Sequence, residues 1–172
     1  MNTSNLKLGY YLIIEKLLRW AFNPRLRSKL LRFFGASIGN NVRIYEINLF
    51  NLDNGFKNLH IKDDVHIGTG CRLDLKSPLK IGKRSTLSPG VLILTHADPG
   101  SSHNSILTKK YPPHFYGVEF GDNCWIGANA IILDGIKISD CTIVAAGAVV
   151  TKNFPSHSVL AGVPAKIISK TE

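Results

Sequence analysis

The chain has 172 residues, with 21 Lys and Arg against 12 Asp and Glu, a formal net charge of +9, three cysteines and 44% hydrophobic residues. One domain of ordinary size fits that length and buries roughly two thirds of its unfolded surface, so neither disulfides nor a structural metal is needed to hold a core. Disorder is excluded as the main state, and no apolar stretch reaches the roughly 18 residues of a spanning helix, because Leu8–Ile14 is cut off by Glu15 and Lys16.

Residues 1–35 read as a helical cap. Leu6–Phe22 is apolar around most of a helix, Asn23-Pro24 breaks it, and Arg25–Phe34 forms a second short helix. Seven Lys and Arg stand here against Glu15 alone, so most of the net charge belongs to this segment. A nucleic-acid face spread over the domain is not indicated, and no recognition-helix, RNP or zinc-finger pattern occurs, so no nucleic-acid partner is expected. Two roles stay open: a cover for the end of the following domain, and a basic amphipathic surface resting on anionic lipid. Met1–Asn5 lacks a charged n-region and no small-residue cleavage pattern follows. The expected location is the cytoplasm, with peripheral contact to the inner face of the membrane through residues 1–35.

From Phe120 an apolar residue returns every six positions: Phe120, Ile126, Ile132, Ile138, Val144, Val150. The same phase runs upstream through Ile38, Ile44, Ile61, Ile67, Leu73, Ile81, Leu87 and Ile93. Six fits neither a helix nor simple alternation; it fits a short strand plus a corner, stacked coil on coil. Three positions after each anchor that no interruption follows stand Asn41, Asp64, Gly70, Arg84, Gly90, Asn123, Asn129, Gly135, Cys141, Gly147 and Asn153. Nine of these eleven are Gly, Asn or Asp, the types that tolerate positive φ, where their abundance in the chain gives about two by chance. The next position carries no charge anywhere (Val42, Val65, Cys71, Ser85, Val91, Cys124, Ala130, Ile136, Thr142, Ala148, Phe154), as an inward corner requires. A sandwich with regular turns would not hold that phase. The expected fold is an all-β parallel β-helix over residues 36–168, with a tail at 169–172.

The phase breaks at Asn48–Asn58, at Lys76–Lys80 and over an excursion of about 22 residues, 97–118, with the length of a binding loop or lid. His96 stands just before that excursion, at a corner three residues after Ile93, and therefore projects away from the core. An imidazole there suits removal of a hydroxyl proton at neutral pH. His60, His66, His103 and His157 have no comparable support, and His114 is the least settled. Cys71, Cys124 and Cys141 lie far apart at or beside inward corners and read as core fillers.

The motifs Gly121-Asp122-Asn123-Cys124-Trp125-Ile126-Gly127, Ala145-Ala146-Gly147-Ala148-Val149-Val150-Thr151-Lys152 and Ala161-Gly162-Val163-Pro164-Ala165-Lys166 resemble the hexapeptide-repeat acyltransferases, near the maltose and galactoside O-acetyltransferases and the polysaccharide O-acetyltransferases. The resemblance implies a left-handed β-helix, a handedness that period alone does not give. It also implies acetyl-CoA as donor, a homotrimer, and O-acetylation of a sugar hydroxyl in surface polysaccharide assembly. His96 matches the family's general base. Asp74 aligns with an acceptor-holding residue that is an amide in the sugar enzymes, and Asp98, His114 and Trp125 are further acceptor-side candidates. On the donor side the matching positions are Gly127, Ala128, Ala146, Thr151, Lys152 and Lys166, with backbone N–H near Gly127 and Ala128 facing the thioester oxygen. The family's late-loop acidic residue falls near Pro112, and Glu119 is the substitute at hand. No metal is expected. N-acetylation of an amino nucleotide-sugar remains an alternative, with a carbonic-anhydrase-like metal enzyme and a non-catalytic scaffold behind it.

Overall fold

The computed structural model describes residues 3–171, so the reading of Met1–Asn5 falls partly outside it. Helix α1 (Thr3–Arg19) and helix α2 (Pro24–Phe33) are joined by a turn whose Asn23 side chain accepts from the backbone N–H of Arg25 and Leu26, with Pro24 opening α2. The break lies where Asn-Pro places it, while α1 starts three residues earlier and ends three residues earlier than the apolar run.

The rest is a parallel β-helix of three faces. The first face holds Ser37–Ile38, Leu59–Ile61, Leu79–Ile81, Val118–Phe120 and Lys137–Ile138. The second holds Arg43–Ile44, His66–Ile67, Thr86–Leu87, Trp125–Ile126, Ile143–Val144 and Ser158–Ala161. The third holds Asn48–Phe50, Arg72–Asp74, Leu92–Ile93, Ile131–Ile132 and Val149–Val150. Registers stack the six-residue anchors in columns; on the second face Ile44, Ile67, Leu87, Ile126, Val144 and Leu160 lie one above another, all fully buried. Each such side chain contributes about 1.5–3 kcal/mol of burial.

The corners follow the sequence. Ten of the eleven turn positions have φ between 51° and 77°, including Arg84 and Cys141, and Asn153 is the exception. The inward residues that follow them are buried except Phe154, which is partly exposed. A second constraint was not read from the period: a Cβ on Gly82 would meet the Gly121 carbonyl oxygen at 2.1 Å, because adjacent coils touch at that corner.

The helices cover the first coil, with Ile14, Leu18 and Leu31 joining the core. Arg27 is buried, and its guanidinium donates to the carbonyls of Leu18 (2.9 Å), Arg19 (3.2 Å), Ala21 and Ile44 (2.8 Å), tying the end of α1 to the prism. At the far end Lys166–Lys170 returns antiparallel to Ser158–Ala161, so strand runs past residue 168 into the segment read as a tail.

All three interruptions fall on one edge, where the third face turns into the first. From the capped end that edge carries the 51–58 loop, Asp74–Pro78, His96 with its long loop, Asp134, and Thr151-Lys152.

Candidate active site

His96 leaves the prism at this edge, with 21% of its side chain exposed. It is absent from the positive-φ residues, since the chain does not close a tight corner here but continues into the loop. Its Nδ1 lies 2.6 Å from Asp74 Oδ2 on the preceding coil. Its ring stacks on Phe115, at 5.9 Å between centroids and 5° between planes. Ala97 and His114 exchange backbone hydrogen bonds of 3.0 Å, forming a neck that holds the outgoing and returning limbs of the loop together. Beyond the neck the loop contains two short 3-10 turns, Ser101–His103 and Ile106–Lys109.

Asp74 departs from its expected place against the acceptor. It is wholly buried, and its oxygens accept from His96, from Asn51 Nδ2 (2.9 Å) and from the backbone N–H of Lys76 (3.0 Å) and Thr95 (2.9 Å). Burial would push its carboxyl up, but the hydrogen bonds from Asn51, His96, Lys76 and Thr95 outweigh that and hold it below the usual carboxylate range. An ionised Asp74 accepts the Nδ1 proton, which leaves Nε2 of His96 as the basic nitrogen. Thr95 supports the arrangement, its hydroxyl donating to the Asp74 carbonyl and accepting from the Ser77 N–H.

Asp98 is close enough to feel the charge of His96, but its hydrogen bonds lie within the loop. Its carboxylate accepts from Ser101 Oγ and from the N–H groups of Gly100 and Ser101, an Asx turn that opens the first 3-10 turn. His114 faces the opposite side of the neck from His96 and pairs through Nδ1 with Asp134, a nearly buried carboxylate on the following coil. Asp134 also accepts from the N–H of Tyr116 and Gly117, both at 3.0 Å. Two His–Asp pairs thus clamp the loop base, one to the coil below and one to the coil above. The sequence reading missed Asp134 and the Asn51 contact; the signal available was an acid or amide at the third-face corner of each coil flanking His96. Glu119, on the first face, lies 3.5 Å from Lys137.

The donor-side candidates separate into two groups within one chain. Thr151 and Lys152 share the edge of His96, two coils away or about 10 Å along the axis. Ala128 and Ala146 occupy adjacent coils where the second face turns into the third, and Gly147 N–H donates to the Ala128 carbonyl at 2.9 Å. Trp125 is exposed on the second face, with Nε1 donating to Ser88 Oγ at 3.0 Å, and Lys166 is exposed on the terminal hairpin. Trp125 therefore does not meet His96 inside one prism. Gly127, expected near the thioester oxygen, donates its N–H to Val144 at 2.7 Å and has none to spare, which leaves Ala128 N–H for that role. The side chains at Ala128 and Ala146 are small, and a Cβ on Gly127 would meet Ala146 N at 2.5 Å.

Other chemistries find less support in the geometry. His66 lies on the second face with its ring 5.1 Å from that of Tyr45 and tilted 50° to it, and His103 lies out in the loop, so neither converges on His96. Burial pushes the Cys71 thiol up to about 11 and raises Cys124, which disfavours an acyl-cysteine route.

Residues 117–152 match the bacterial transferase hexapeptide family of six repeats. The galactoside O-acetyltransferase of Escherichia coli K12 is 27% identical over 142 residues, covering 83% of this chain and 67% of that protein. The first curated relatives are spanned over 56% to 67% of their lengths. A crystal structure of a maltose O-acetyltransferase from Clostridium difficile 630 superposes with a TM-score of 0.79 at 27% identity, covering 100% of this chain and 90% of that one. A hexapeptide-repeat acetyltransferase of Vibrio cholerae, solved as a complex with acetyl-CoA, shares the fold with a TM-score of 0.72 at 18% identity, over 95% of this chain and 86% of that one.

Proposed function

We propose that this chain, whose residues 117–152 match the bacterial hexapeptide-repeat transferases, moves an acetyl group from acetyl-CoA to a hydroxyl of a saccharide, with His96 as general base. The observation that carries the reading is the buried Asp74 carboxylate hydrogen-bonded to His96 Nδ1 at 2.6 Å while 21% of the His96 side chain stays open to solvent. That pair fixes ring and tautomer, so Nε2 needs no reorganisation before it acts.

In the reaction, Nε2 takes the proton of the acceptor hydroxyl as its oxygen attacks the thioester carbonyl carbon. Negative charge develops on the carbonyl oxygen, and the Ala128 N–H of a second copy is our candidate to meet it. The C–S bond then breaks, and the CoA thiolate leaves with the proton that the imidazolium returns. No covalent enzyme intermediate is required. Lys152 and Lys166 supply point charges for the phosphates of CoA. Phe115, stacked on His96, forms one wall of the acceptor side, and His114 is placed across the neck to hold that wall rather than to touch the acetylated sugar.

Because His96 and the Trp125–Ala128–Ala146 surface lie on different edges of one prism, the complete site combines two copies. The edge of one chain meets the second face of its neighbour, and three copies close the ring. The exposed loop side chains Ile106, Tyr111 and Tyr116 favour such a contact.

The helical cap adds a place of work. Ile13 and Leu17 on α1 and Trp20 just after it are exposed apolar side chains, followed by Phe22 at 93% exposure, while Arg25, Lys29 and Arg32 are exposed on α2. An apolar row beside a basic face suits shallow insertion into an anionic leaflet. Among the described residues no helix is long and apolar enough to cross a membrane. The exposed apolar row and basic residues support a reading in which the enzyme rests on the inner leaflet, on the cytoplasmic side, and acetylates a saccharide during surface polysaccharide assembly.

The direct test is CoA thiol release from acetyl-CoA over a panel of hexoses, amino sugars, nucleotide-sugars and oligosaccharides, with the products identified by mass spectrometry. A base-labile ester on a saccharide is the expected product. An alkali-stable amide would assign N-acetylation instead, and thiol release with no acceptor would overturn the reading.

A further inference from the structure

The same edge carries a second feature, nearer the capped end. A cavity of about 490 Å³ opens between the start of α1 and the 51–58 loop, lined by Leu6, Lys7, Tyr10, Tyr11, Asp53, Asn54 and Lys57. That volume is within the range of small-molecule sites. Its loop wall is anchored to the machinery just described: Asn51 shares the Asp74 carboxylate with His96, and Asp53 pairs with Lys76 at 3.0 Å. Asn51, two residues before the lining residue Asp53, lies two coils below His96, or about 10 Å along the axis.

Its aromatic wall is fixed in advance. Tyr11 packs edge-on to the buried Phe56 at 5.5 Å, and a Cβ on Gly55 would come within 2.4 Å of the Tyr11 ring, so only glycine lets the loop backbone lie against it. Tyr10 packs edge-on to Tyr11 at 5.3 Å and leaves its ring 54% exposed at the mouth. Around these rings stand a carboxylate, an amide and two ammonium groups. A pyranose ring has an apolar C–H face for an aromatic platform and a rim of hydroxyls for alternating donors and acceptors, and this cleft offers both. A wholly apolar ligand would strip solvent from Asp53 and the lysines without replacing their hydrogen bonds.

We infer that this cleft is a saccharide subsite, which binds a further sugar unit of an oligosaccharide whose neighbouring unit is presented to His96. The inference rests on the saccharide reading above and narrows it: the acceptor has two or more units, and Tyr10 is its stacking platform. Chain-length selectivity then resides in the cap and the 51–58 loop rather than in the long loop.

The test is binding without chemistry. Wild-type protein, Tyr10→Ala, Tyr10→Phe and Asp53→Asn are applied, without acetyl-CoA, to an array of immobilised mono- and oligosaccharides, and the dissociation constants of retained glycans are measured in solution. At least one glycan of two or more units is expected to bind; Tyr10→Ala and Asp53→Asn should weaken it at least tenfold, and Tyr10→Phe should keep it within about threefold. No glycan retained by wild type, or equal affinity in Tyr10→Ala and wild type, overturns the subsite. The two readings fail separately: oligosaccharide binding without any CoA release removes the transferase reading and leaves the cleft, whereas CoA release with an unaltered Tyr10→Ala glycan profile removes the cleft alone.

Discussion

A buried carboxylate in a solenoid corner persists only when its oxygens are supplied with donors, and Asp74 has four. Exchanging it for Asn keeps the volume but offers Nδ1 of His96 an ambiguous partner, so the wrong tautomer becomes available. Turnover of Asp74→Asn should fall on the order of 10²-fold or more with the KM for acetyl-CoA little changed, measured by thiol release. The same carboxylate contributes a pH dependence to stability. Its folded pKa lies below its unfolded value of about 3.9, so between the two the unfolded chain binds the extra proton. The Asp74 contribution is present above about pH 4 and is lost as pH falls through the folded pKa. Denaturant titrations should show stability dropping in that acid window, with a shallower drop in Asp74→Asn; equal slopes would contradict the hydrogen-bonding account. Nothing in the six-residue period reveals this pair. Asn51–Asp74, Asp74–His96 and His114–Asp134 are separated by 23, 22 and 20 residues, lengths set by interruptions rather than by the repeat. That is why the sequence marks His96 as a projecting residue but carries no periodic sign of its bond to Asp74 or of Asp134.

At the scale of the element, the coil was legible because two independent rules repeat in step, an apolar anchor every sixth residue and a turn residue three later. Arg84 tests the second rule, since it sits at φ 55° where Gly or Asn is usual. Arg84→Asn should raise stability by about 0.5–1 kcal/mol in chemical denaturation, from relief of left-handed strain offset in part by the lost contact of Arg84 Nε to Asn123 at 2.8 Å. Gly82→Ala tests the stacking of coils in the opposite direction. Its Cβ would strike backbone at 2.1 Å, which cannot swing aside, so the variant should lose about 1–3 kcal/mol. The long loop was legible only as a position and a length. Its 3-10 turns rest on Asp98 and Ser105 side chains bonding their own backbone, local choices without period.

In the whole molecule, the cap, the edge and the second face divide the work. The cap closes one end, held by Arg27 and by the buried Glu15, which meets Arg19 at 2.8 Å and the Leu49 N–H at 3.2 Å. Its outer row and basic face make lipid attachment a property to measure on intact protein. Flotation with vesicles containing anionic lipid should carry the protein upward at low salt. Trp20→Ser with Phe22→Ser should abolish this, Lys29→Gln should weaken it by about 1 kcal/mol, and zwitterionic vesicles should carry none. Light scattering in solution should find three copies, since one prism shows His96 and the Ala128–Ala146 pair on different edges. All of this is subordinate to the imidazole that Asp74 holds at the edge. The most direct measurement is the steady-state rate of CoA release by His96→Ala against wild type on the best acceptor of the panel. A loss of roughly 10²- to 10⁴-fold in kcat is expected, with acetyl-CoA still bound; turnover equal to wild type would contradict the account.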